Sequence, residues 1–158
     1  LYYISMVKKE IWGTATWYLF HTLSYKLKND NEEQVKTLYN HFKNFCNHLP
    51  CPICKDHAMR FLAKVNDNNI KTKDNLIIIM FTFHNEVNRE TNTNIFTMEE
   101  HNKLYDKANT DNMVKYFIKV WSYKNGVGYQ GIKENSFSKQ QCINKFKSYI
   151  SKNRNLFN

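Results

Sequence analysis

Residues 32–49 carry apolar side chains at Val35, Leu38, Phe42, Phe45 and Leu49, a spacing of three and four that predicts an amphipathic helix. Pro50 ends it, because the residue before a proline disfavours helix. The same period recurs along the chain. Trp12, Thr16, Phe20, Leu23 and Leu27 predict a helix over 10–28, broken at Asn29–Asn31. Cys54, Ala58, Phe61, Leu62 and Val65 predict one over 51–65, with Pro52 in its first turn, where a proline is tolerated. A helix over 73–91, capped by Thr72 or Asp74, is apolar almost all round from Leu76 to Phe83 and is expected to be the most buried. Thr97 and Glu100 have capping-box spacing for a short helix to about Lys107. Thr110 or Asp111 can cap a helix over 112–123, with Met113, Phe117, Val120 and Trp121 on one face. Ser138–Gln141 reads as another capping box, opening a last helix with Ile143, Phe146 and Ile150. No strand pattern and no internal repeat is found. With only 4 Gly and 2 Pro in 158 residues, a tight-turned sandwich or barrel is excluded, and an all-α fold around a single core is expected.

The net charge of +9 first suggests nucleic acid or an acidic surface as partner. Against nucleic acid, Lys supplies 20 of the 23 basic residues and Arg only three, at Arg60, Arg89 and Arg154. Arginine is the usual reader of bases and phosphates. The lysines are also dispersed, and 22 asparagines beside them point to an AT-rich coding bias. No nucleic-acid partner is expected. No run approaches the ~18–20 apolar residues of a membrane span. Leu1–Glu10 lacks the pattern of a secretory signal. Gly126-Val-Gly128-Tyr-Gln-Gly131 matches a dinucleotide-loop pattern, but no strand precedes it, so it is read as a flexible loop.

Four cysteines, Cys46, Cys51, Cys54 and Cys142, are too few for a disulfide scaffold of this length. Cys51-Pro52-Ile53-Cys54 stands at a helix start, where free amides and the dipole stabilise a thiolate. An outer, accessible Cys51 and a more buried Cys54 suit thiol–disulfide exchange. Zinc is the sharpest rival: Cys51, Cys54 and His57 would supply three ligands, with Cys46, His41 or His48 the fourth. Spacing alone leaves redox, zinc and inert thiols all open. A second cluster, His84-Asn85-Glu86-Val87-Asn88, puts His84 and Asn88 one turn apart on a core helix. Trp17 and His21 repeat the arrangement on the first helix. Two polar–aromatic faces plus a Cys-x-x-Cys suit a flat heteroaromatic cofactor inside a bundle.

Gly13-x-x-x-Trp17-x-x-x-His21, Pro50-Cys51-x-x-Cys54-x-x-His57 and His84-Asn85-x-Val87-Asn88-Arg89, in this order, resemble the Erv/ALR family of FAD-linked sulfhydryl oxidases across residues 12–96, and more weakly to Tyr105. The resemblance implies a four-helix bundle plus a short fifth helix over 8–108, with FAD at the bundle mouth and a homodimer. Residues 109–158 are then a helical C-terminal extension, packed on the core or on the dimer. By the matching positions, Cys51 and Cys54 are catalytic, Cys51 exchanging with substrate and Cys54 against the flavin. Gly13, Trp17, His21, Cys54, His57, His84, Asn85, Val87, Asn88 and Arg89 are implied to bind FAD, with Phe96 and Tyr105 less closely matched. The implied reaction oxidises a protein dithiol, such as a thioredoxin-like partner, and passes electrons through flavin to O2, giving H2O2. Thr14 stands where the family usually has Arg, Thr93 stands where a basic residue is usual, and the extra disulfide of many cellular members is missing. The missing disulfide and the AT-rich coding bias point toward members from large DNA viruses, and hence to host cytoplasm or virion; a cellular member would point to the mitochondrial intermembrane space.

Overall fold

The computed structural model describes residues 2–122 and 133–158, with side chains over 9–122 and 137–158. The loop with Gly126, Gly128 and Gly131 lies outside the described residues. Among those described, seven α-helices follow one another: α1 Tyr2–Lys26, α2 Glu32–Cys46, α3 Pro52–Ala63, α4 Lys73–Glu90, α5 Met98–Asp106, α6 Thr110–Ser122 and α7 Lys133–Asn153. Short 3-10 turns cover Asp67–Asn69 and Arg154–Leu156, and the one β-type pairing among the described residues is an isolated bridge between Leu27 and Phe157. The fold is all-α.

Local chemistry sets most helix starts. The Asn31 side chain accepts from the Gln34 amide at the head of α2. Of the two residues read as capping α4, Thr72 does so, in a reciprocal box with Asn75. Thr97 and Glu100 make the same box on α5. Two expected caps fall elsewhere. Helix α6 is capped by Asn109, whose side chain accepts from the Asn112 amide, and not by Thr110 or Asp111. Ser138–Gln141 opens no helix, because α7 already runs from Lys133. There the Ser138 hydroxyl bonds Nε2 of His48 at 2.7 Å, fastening α7 to the α2–α3 corner.

The expected burial order is also corrected. Helix α1, not α4, is the central element, packed along α4, α5 and α6. Its Ala15, Leu19 and Leu23 are fully buried, and so are His21, Thr22 and Ser24, as is Leu27 just beyond its end. Polar letters disguise this helix in the sequence. Thr16 and Ser24 return their hydroxyls to the carbonyls of Trp12 and Phe20 at 2.7 Å, which satisfies them without solvent. Helix α4 is apolar on more sides than its neighbours cover, leaving Ile78 53% exposed.

The segment after α5 is built into the same core. Phe117, Trp121, Ile143, Phe146 and Phe157 join one cluster with Leu19, Leu23, Phe42 and Phe45. Trp121 donates its indole N–H to Thr16 at 2.9 Å. At the end of the chain, Lys28 N–H donates to Leu156 O and Asn158 N–H to Lys26 O, and Arg154 forks onto both Asp111 oxygens at 2.7 and 3.0 Å.

Candidate active site

Helix α3 starts from a fixed corner. Cys51 is its N-cap, with extended backbone, and Pro52 occupies the first helical position with φ already suitable. Cys54 lies one turn in, and its amide donates to Cys51 Sγ at 3.2 Å. Cys51 and Cys54 form a disulfide with Cα atoms 5.2 Å apart. Both residues are half-buried, so exposure does not rank the two sulfurs. Position does: Cys51 caps the open end, whereas Cys54 belongs to the face that continues into buried Ala58 and Phe61. No acidic side chain stands in this first turn to oppose a thiolate.

That face leads by stacked rings to α1. Phe61 stacks on Phe83 with centroids 4.5 Å apart, and Phe83 meets Trp17 edge-on at 5.0 Å. Trp17 lies flat on His84, at 4.1 Å and 10° between planes. His21 is nearly parallel to both, and its Nε2 is 2.9 Å from His84 Nδ1. Gly13, one turn before Trp17, has open space where a Cβ would stand.

The loop after α4 closes the other side. Helix α4 ends in a Schellman motif: Thr93 N–H reaches Asn88 O, Asn92 N–H reaches Arg89 O, and Asn92 takes φ 54°. The Asn85 amide then clamps Phe96, donating to its carbonyl at 2.9 Å and accepting from its N–H at 3.0 Å. Phe96 packs 5.5 Å from His84. Asn88 is buried, and its Nδ2 has no partner among the described residues. His57 pairs with Glu90 at 2.6 Å and holds α3 to the end of α4, Val87 packs on the core, and Arg89 is exposed.

The structure thus brings Trp17, His21, His84, Phe96 and Tyr105 into one ring cluster, Tyr105 lying 4.7 Å from His21. It adds His101 and Tyr25, which the sequence reading passed over. His101 Nε2 is 3.0 Å from His21 Nδ1, and Tyr25 Oη is 3.0 Å from His101 Nδ1. The one signal for His101 was its one-turn spacing from Tyr105. Burial holds all three imidazoles neutral: His21 falls well below the ordinary range, with His101 and His84 adding to the effect. His84 falls to about 4 through burial and His101, and His101 to about 4 through burial. Burial, then Asp106 and Asp74, pushes Tyr25 up to about 12.

The donors of a zinc site are not assembled. Cys51 and Cys54 are joined to each other, His57 faces Glu90, and His48 is used by Asn44 O and Ser138. His41 packs on Tyr149, and Cys46 is buried without a bonded partner. No group of three or more metal-type ligands is found among the described residues.

The model of the Erv1/Alr family matches residues 14–106, a span that holds every site residue above except Gly13. The chain belongs to the Erv1/Alr family. It is 29% identical over 118 residues to the African swine fever virus protein named FAD-linked sulfhydryl oxidase, covering 70% of this chain and 96% of that one. It is 35% identical over 72 residues to the fowlpox virus protein named "Probable FAD-linked sulfhydryl oxidase", covering 46% and 69% respectively. No solved structure matches the chain. Helices α6 and α7 follow the Erv1/Alr span, and no described helix is long and apolar enough to cross a membrane.

Proposed function

We infer that this chain is an FAD-linked thiol oxidase that forms disulfides in protein dithiols. The observation that carries the reading is the Cys51–Cys54 disulfide at the open start of α3, on a helix face joined through Phe61 and Phe83 to the Trp17–His84 plate. The names of the African swine fever virus and fowlpox virus relatives support the same chemistry.

The residues present fit the cofactor. A flat ring system needs flat walls and a few polar contacts. Trp17, His21 and His84 supply the walls, Gly13 leaves room beside them, and the buried Nδ2 of Asn88, unpaired among the described residues, is a donor that water does not reach. Asn85 acts by holding Phe96, since both ends of its amide bond the backbone of that residue. Cys54, His57, Val87, Arg89 and Tyr105 complete the proposed lining. FAD, when bound, supplies the two-electron chemistry and the route to O2 and H2O2.

The protein's own steps follow from the corner of α3. One substrate thiolate attacks Cys51 Sγ, forming a mixed disulfide and releasing Cys54 as a thiolate, which the first-turn amides stabilise. The second substrate thiol then attacks the substrate sulfur of the mixed disulfide and displaces Cys51. The substrate leaves oxidised, and Cys51 and Cys54 hold the electron pair. Thioredoxin-like proteins are the proposed partners, acting on a homodimer.

An absorbance spectrum with metal analysis tests the reading. A yellow protein with flavin bands, bleached by a dithiol under nitrogen and recoloured by air, is expected. Colourless protein with stoichiometric zinc would overturn it. His84→Ala and Trp17→Ala should lower flavin content, and retention of flavin in both would remove the site from this face.

A further inference from the structure

Helices α1, α4 and α5 are strung together by one line of polar side chains that the thiol chemistry does not use. Asn102 Oδ1 accepts from the Tyr25 hydroxyl. Tyr25 Oη lies 3.0 Å from His101 Nδ1, His101 Nε2 lies 3.0 Å from His21 Nδ1, and His21 Nε2 lies 2.9 Å from His84 Nδ1. His21 is 0% and His101 1% exposed, so water cannot substitute in the bond between these two rings.

Counting protons fixes the direction of every bond. A phenol has one hydrogen, and Tyr25 gives it to Asn102. The phenol oxygen therefore accepts, and His101 Nδ1 must carry the hydrogen. A neutral imidazole has only one, so His101 Nε2 is a lone pair and His21 Nδ1 donates to it. The same step repeats: His21 Nε2 accepts and His84 Nδ1 donates. All three rings are thereby held as the Nδ1–H tautomer, which is the less favoured form of free histidine. The line ends at His84 Nε2, which is left without a hydrogen and without a partner among the described residues, on the ring that Trp17 covers.

We propose that Asn102, Tyr25, His101 and His21 are positioning residues that set the tautomer of His84, so that its Nε2 meets the cofactor as a hydrogen-bond acceptor. The group it takes is a donor, an amine, imide N–H or hydroxyl. This rests on the assignment of the Trp17–His84 face to FAD. Asn88 Nδ2, one turn further along α4, is a donor, so the two side chains offer opposite polarity to the ligand.

The test is nitrogen-15 NMR of the ring nitrogens in the flavin-loaded protein, together with FAD affinity. Nδ1–H signals for His21, His84 and His101 are expected, without any variant being needed. Tyr25→Phe removes the acceptor at the far end: Nε2–H forms should appear and FAD should bind about tenfold more weakly, the size of one lost hydrogen bond. His101→Leu should do the same. His101→Gln, whose amide both donates and accepts, and Asn102→Asp, which only accepts, should keep the native tautomers and affinity. An Nε2–H form of His84 in the native protein, or unchanged signals and affinity in Tyr25→Phe, would overturn the proposal. The site assignment fails separately, through a His84→Ala protein that retains its FAD.

Discussion

Single residues divide into those that exchange electrons and those that only look able to. Cys51 and Cys54 share a helix start, whereas Cys46 and Cys142 are buried thiols. Burial pushes Cys46 up to about 12 and Cys142 up to about 11, the latter against a smaller opposing effect of Lys145. Neither is a thiolate near neutral pH, and a thiol without thiolate character does not attack disulfides. Cys46→Ser and Cys142→Ser should keep full dithiol turnover, while each loses about 1–3 kcal/mol in urea unfolding for burying a hydroxyl. Cys51→Ser and Cys54→Ser should both abolish turnover and keep flavin. Only Cys54→Ser should accumulate a mixed disulfide with substrate, visible by mass spectrometry under non-reducing conditions. A mixed disulfide in Cys51→Ser instead would reverse the two roles. The histidines add a pH dependence. Their folded values lie below the ordinary 6.5, so the unfolded chain binds more protons between roughly pH 6.5 and 4. Stability from these rings is therefore complete above pH 6.5 and is lost as pH falls toward 4. Urea midpoints should drop across that window, by up to about 1.4 kcal/mol per pH unit for each proton taken up. His101→Gln should flatten the slope.

Elements owe their ends to short-range chemistry, and the joint between α4 and α5 matters most for the site. Asn92 adopts φ 54°, a left-handed conformation that asparagine and glycine tolerate and β-branched residues do not. Asn92→Gly should be neutral or slightly stabilising. Asn92→Val should cost about 1–2 kcal/mol, and it should also weaken flavin binding, because the same turn delivers Phe96 to the Asn85 clamp. Calorimetry of the two variants, with bound flavin read by absorbance, checks both effects. The periods of α2 and α3 and the box at Thr97 were legible because each is a local pattern. The box at Ser138 was not, since identical letters occur inside α7, where Ser138 bonds His48 from another helix. The burial of α1 was hidden for a related reason: the hydroxyls of Thr16 and Ser24 are satisfied by its own carbonyls.

At the scale of the molecule, the segment after the family span is structural. Phe157, the penultimate residue, is 1% exposed and pairs across to Leu27 at the end of α1. Phe157→Ala should therefore cost about 3–5 kcal/mol, as for a core aromatic, although it sits at a chain end. Urea unfolding measures this directly, and a change below 1 kcal/mol would show that the last turn is dispensable. Deleting residues 133–158 should strip the cover from Phe45, Phe117 and Trp121 and yield aggregated protein.

Sequence alone determined the helical class, the helix-start position of Cys51 and Cys54, and the one-turn pairs Trp17–His21 on the first helix and His84–Asn88 on the fourth. Each of these follows from residue type at a short, fixed spacing. Only the tertiary structure decided that α1 is the centre, that His101 and Tyr25 extend the His84–His21 pair, and that Phe117, Trp121, Ile143, Phe146 and Phe157 share the core. Those depend on which faces meet across tens of residues, as His21 meets His101, and no local spacing encodes that meeting.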